Sequence, residues 1–92
     1  MAKKSVEQER ETIIKSMRKH ELLLWLLDNY PHPTQFTSTT LARFTGDSDM
    51  RNASQLPAEF VAAKFFETVS PGTYRLFQDA ADITHEIERR LA

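Results

Sequence analysis

Cysteine is absent from this chain and glycine occurs only twice, as Gly46 and Gly72. Without cysteine there is neither a disulfide nor a thiolate-bound metal to support the fold, so stability must come from packing. Two glycines leave no glycine-rich loop to cradle a phosphate, and no serine sits in a nucleophile-elbow pattern. His20, His32 and His85 are widely separated and lack metal-ligand spacing, so no metal site is expected. Glu86 and Glu88 are two apart on a helical segment and point in different directions, which is no catalytic pair; Glu86 and Arg90 instead suit an i,i+4 ion pair. Asn52-Ala53-Ser54 matches a glycosylation sequon but has no secretory signal to give it meaning. The expectation is a non-enzyme with no catalytic residues, metal or cofactor.

Long apolar runs are missing too. Leu22–Leu27 is six residues, against roughly 20 for a membrane-crossing helix. Met1–Arg10 is charged and lacks the apolar core of a signal peptide, so the expected location is cytoplasmic, with no membrane partner. The net charge of −1 argues against a protein that coats nucleic acid indiscriminately, since that mode needs a large positive excess. The charge is uneven, however. Residues 1–20 hold Lys3, Lys4, Arg10, Lys15, Arg18 and Lys19 against Glu7, Glu9 and Glu11, while residues 78–92 lean acidic.

The 92 residues, 40% of them apolar, suffice for one core and one domain. Ser5 with Gln8 three residues on reads as a capping box that opens a long first helix. Ile13, Met17, Leu24 and Leu27 fall on one stripe and Leu23, Leu26 and Tyr30 on an adjacent one, until Pro31 and Pro33 stop the helix. His32–Thr37 reads as a connector. Ser38 or Thr39 can cap a short second helix with Leu41, Ala42 and Phe44, ended by Gly46. Ser48 or Asp49 can cap a third through Met50, Ala53 and Leu56, and Pro57 either ends it or opens a further turn to Ala63. From Lys64 the period changes to Phe65, Phe66, Thr68 and Val69, then Tyr74, Leu76 and Phe77, with Pro71-Gly72 at the centre of a type II turn, which predicts a hairpin. Ala80, Ile83, Ile87 and Leu91 predict a last helix, with Asp79 and Arg89-Arg90 matching its dipole. Trp25, Phe44, Phe60, Phe65 and Phe66 read as core.

The run Leu41-Ala42-Arg43-Phe44-Thr45-Gly46, followed by Ser48 and Leu56, resembles the helix-turn-helix pattern, in which alanine allows close helix packing, glycine turns, serine caps and leucine anchors. Val69–Leu76 looks like the wing hairpin that follows the recognition helix in winged-helix proteins. The resemblance is to the winged helix-turn-helix superfamily and covers roughly residues 19–77. It implies a mainly α fold with a small β-hairpin, a single domain over residues 1–92, with 1–18 an N-terminal helical extension and 79–92 a C-terminal helix. It also implies a sequence-specific protein that binds double-stranded DNA and regulates transcription, acting as a homodimer because most such modules read two half-sites. The first helix, apolar all round at its end, and the last, with Ile83, Ile87 and Leu91 on one stripe, supply spare apolar surface for that association. Arg51, Asn52, Ser54 and Gln55 would lie on the exposed side of the third helix, and Arg, Asn and Gln pair with guanine and adenine edges. Thr39, Thr40, Arg43, Ser48, Lys64, Thr73 and Arg75 would contact phosphates or set register. Asp47, Asp49 and Glu59 would repel phosphate in the same region. They keep open an alternative in which the same fold is an adaptor or assembly subunit that binds a protein partner.

Overall fold

The capping box forms as read. The Gln8 N–H donates to Ser5 Oγ at 3.2 Å and the Ser5 N–H to Gln8 Oε1 at 2.9 Å. In this computed structural model, which describes residues 5–45 and 57–92, the box opens helix α1 (Val6–Lys15). The helix does not run on to Tyr30. Ser16 is extended, with φ −84° and ψ 112°, and helix α2 (Met17–Asn29) starts after it. The break resets the helical phase, so the predicted stripe is not one face: Ile13 is buried whereas Met17 is 77% exposed. Leu22, Leu23 and Leu26 carry the burial of α2 instead. The first helix therefore stops at Lys15, and a second one begins at Met17.

The segment read as a connector contains strand β1 (Gln35–Thr37). Three residues with only Phe36 buried are too short to display alternation, and the strand exists because a partner edge is available. Helix α3 (Ser38–Thr45) follows directly. Ser38 and Thr39 are already inside it, and the bond at its start runs from the Thr37 N–H to Thr40 Oγ1 at 3.3 Å. The readings at Gly46, at Ser48 or Asp49, and for a third helix up to Leu56 lie outside the described residues. Residues 57–62 are helical (α4), and Pro57 is buried.

Helix α4 ends in a Schellman arrangement. The Lys64 N–H donates to the Val61 carbonyl and the Phe65 N–H to the Phe60 carbonyl, both at 3.0 Å, with Lys64 left-handed at φ 59°. Arg10 Nε adds a donor to the Ala63 carbonyl at 2.9 Å, which ties α1 to this helix end. Strands β2 (Phe66–Ser70) and β3 (Thr73–Leu76) form the predicted hairpin, and Gly72 at φ 81° supplies the third position of a type II turn. The sheet is antiparallel in the order β1-β3-β2. Phe36, Phe66 and Leu76 line its buried face, where Phe66 stacks on Phe60 with centroids 4.7 Å apart. Trp25 and Phe44 are only half-buried and pack on each other at 5.1 Å.

Helix α5 (Ala80–Leu91) closes the chain. Ile87 is buried, Ile83 half-buried and Leu91 40% exposed, so most of the apolar stripe is used inside the molecule. The Arg90 guanidinium turns across to α1, 3.0 Å from Glu7 and 3.7 Å from Glu11, and not to Glu86. Glu88 joins α5 to α2, with its carboxylate 2.5 Å from His20 Nε2 and 3.2 Å from His85 Nδ1. The architecture is mainly helical around a small three-stranded sheet. No helix among the described residues is long and apolar enough to cross a membrane.

Candidate nucleic-acid interface

Strand alternation divides the sheet into two faces. With Phe36, Tyr74, Phe66 and Leu76 turned toward the core, Gln35, Thr37, Thr73, Arg75 and Glu67 share the opposite, polar face. Thr37 pairs with Thr73, the first residue after the turn. Helix α3 begins at the next residue, so its first turn, with Thr39 exposed and Thr40 half-buried, starts at the end of the sheet where the hairpin turns. The structure thus brings Thr39, Thr40 and Thr73 to one end. Arg75 lies two residues further along β3, between Gln35 on one side and Glu67 on the other.

Lys64 does not join them. It precedes β2 at the base of the hairpin, six residues from Ser70 at the tip, which is about 20 Å of extended chain. Its exposed side chain stands at the C-terminal end of α4, where a cation also suits the helix dipole. Arg43 is exposed in the last turn of α3. Neither Arg43 nor Lys64 has an ion pair among the described residues. Ser48, Arg51, Asn52 and Gln55, with Ser54, lie outside the described residues.

Two other cations, Lys19 and Arg75, are paired with carboxylates. Lys19 on α2 is in close contact with Glu59 on α4. Arg75 Nη2 donates to Glu67 Oε1 at 3.2 Å, while Arg75 Nε is buried without a hydrogen-bond partner among the described protein atoms. The hydrogen bond from Arg75 holds the Glu67 carboxyl below its ordinary value of 4.5 against an opposing effect of burial, and the same bond raises Arg75 further. A groove lined by His32, Glu67, Phe77, Gln78, Asp79 and Asp82 adds carboxylates beside this pair.

Glu67 was not among the residues that sequence reasoning selected. A regular two-residue loop closing Ser70 on Thr73 would set Thr68 opposite Arg75. The register shift between Thr68 and Ser70 makes Val69 an extra residue, and Glu67 takes that place. Known protein families, curated proteins and solved structures were all compared with the chain, and none of them matches it.

Proposed function

We propose that this chain is a winged helix-turn-helix protein that binds double-stranded DNA sequence-specifically, as a homodimeric transcriptional regulator and not as an enzyme. The observation that carries the reading is the order of the described elements: α3, then the helical residues 57–62, then a hairpin whose second strand pairs with the strand leading into α3. In a winged helix-turn-helix the helix before the hairpin enters the major groove while the preceding helix crosses the backbone. On this reading Arg51, Asn52 and Gln55, which precede α4 in the chain and lie outside the described residues, read bases. Thr39, Thr40, Arg43, Ser48, Lys64, Thr73 and Arg75 meet phosphates. Dimerisation belongs to the reading through the two half-sites such modules recognise and through the helices toward either end of the chain, where Met17 and Leu24 on α2 and Leu91 on α5 stay exposed.

The test is a fluorescence-anisotropy titration of a labelled random duplex between about 50 and 200 mM salt. The three cations assigned to phosphates, Arg43, Lys64 and Arg75, give a slope of log K against log salt of roughly −3 per chain. On a selected site, Arg51→Ala is expected to cost about 1–3 kcal/mol, with little effect on random DNA. Binding that ignores salt, or none at tens of micromolar protein, overturns the reading. The pairing of Lys19 with Glu59 and of Arg75 with Glu67 favours the second reading in that event. Cations already held by carboxylates of the same chain, as Lys19 and Arg75 are, suit a protein partner better than a phosphate backbone.

A further inference from the structure

We propose that Glu67 masks Arg75 and thereby sets how strongly the hairpin engages DNA: the guanidinium alternates between the Glu67 carboxylate and a backbone phosphate, and the two compete for the same donors. This rests on the DNA-binding reading above.

From Glu67 to Leu76 the only charged residues are Glu67 and Arg75, so the hairpin as a whole is neutral while they are paired. The Val69 bulge is what sets them directly opposite each other on the outer face of the sheet. Both side chains keep about a third of their surface exposed, 33% for Arg75 and 30% for Glu67, so a phosphate can reach the same fork of donors. A guanidinium accepts carboxylate and phosphate in the same planar geometry, and the phosphate brings more acceptors. The present pair is incomplete as well. Only Nη2 is engaged, and Nε is buried without a partner among the described protein atoms, which lowers the net worth of the closed state. Asp79 and Asp82 flank the pair on the α5 side. A phosphate therefore approaches from the side of Thr37 and Thr73, the end of the sheet at which α3 begins.

The consequence is a chain that forgoes one phosphate contact, or makes it at reduced gain, for as long as Glu67 is charged and in place. A double-mutant cycle tests this with the full chain, comparing wild type, Glu67→Gln, Arg75→Ala and the double variant on a random duplex across the same salt range. Glu67→Gln is expected to bind roughly two- to fivefold tighter, in keeping with the modest strength of a half-exposed pair. Its salt slope should steepen by about 0.9, the signature of one more neutralised phosphate. Both gains should vanish in the Arg75→Ala background. Glu67→Thr, a neutral residue suited to a strand, reads the same quantity if glutamine disturbs folding as judged by circular dichroism. A gain of equal size with and without Arg75 overturns the proposal, because Glu67 then acts as a bare negative charge. No gain, with wild type still binding in a salt-dependent way, overturns the mask and leaves the DNA reading standing. If none of the four proteins binds, both fall together.

Discussion

Phe66 is the residue on which the join between the sheet and α4 depends most, and Phe66→Ala tests that directly. Its ring is 1% exposed. It stacks on Phe60 at 4.7 Å and 19°, meets Phe36 edge-on at 4.8 Å and 76°, and leans on Tyr74 at 6.1 Å. Those neighbours come from α4, β1 and β3, so none of them can collapse into the space without moving a different element. Truncation of a phenylalanine in such a site costs about 3–5 kcal/mol, against roughly 5–14 kcal/mol for the whole stability of a chain of this length. With a urea m-value of about 1.2 kcal/mol/M, the unfolding midpoint should fall by roughly 3 M. Phe66→Leu keeps most of the apolar volume and loses the ring pairs, each worth about 0.5–1.5 kcal/mol; it should fall between wild type and alanine. Urea unfolding followed by far-UV circular dichroism measures all three. A loss under about 1.5 kcal/mol for Phe66→Ala at unchanged m would show that the cluster relaxes around the cavity, and the argument for a rigid sheet–helix junction would fail.

Gly72→Ala isolates the turn. An added Cβ meets nothing within 4 Å, so the cost is purely that of φ 81°, about 1–2 kcal/mol, seen as a thermal midpoint lower by several degrees; an unchanged midpoint refutes the strain argument. Glu88→Gln probes the link between α2 and α5. Burial alone would raise the Glu88 carboxyl, but the bonds to His20 and His85 outweigh it and leave the group below 4.5. A carboxylate depressed in the folded state stabilises fully above its unfolded pKa and loses that contribution as pH falls through the folded value. The urea midpoints of wild type and Glu88→Gln should therefore differ at about pH 5–6 and converge toward pH ~3; a constant gap over that range would show that the carboxylate is not the stabilising form.

Several elements were legible because their cause is local. Ser5 and Gln8 satisfy each other's backbone groups within one turn, Pro71-Gly72 has the conformational preferences of a single turn, and the α5 periodicity belongs to one helix. Of the residues expected to face DNA, Thr39, Thr40 and Arg43 lie on α3 and Thr73 and Arg75 on β3, which pairs with the strand leading into α3, while Lys64 is separated from the hairpin tip by the length of a strand.

What the sequence alone determined is thus the set of short-range decisions: where α1 starts, where α5 runs, where the hairpin turns, and that packing without disulfides must hold the chain. The tertiary structure decided whatever depends on a partner distant along the chain. Gln35–Thr37 is a strand only because β3 offers it an edge, and Arg90 leaves Glu86, four residues away, for Glu7 across the α1–α5 contact. Ser16 breaks a continuous apolar pattern so that α1 can pack on both α2 and α5. The pairing of Glu67 with Arg75 arises in the same way, from a one-residue bulge at Val69 whose effect is to exchange which side chain faces the arginine. Periodicity records how apolar residues are spaced, not which segment they will meet, and a strand's register changes its neighbours completely with a shift of one.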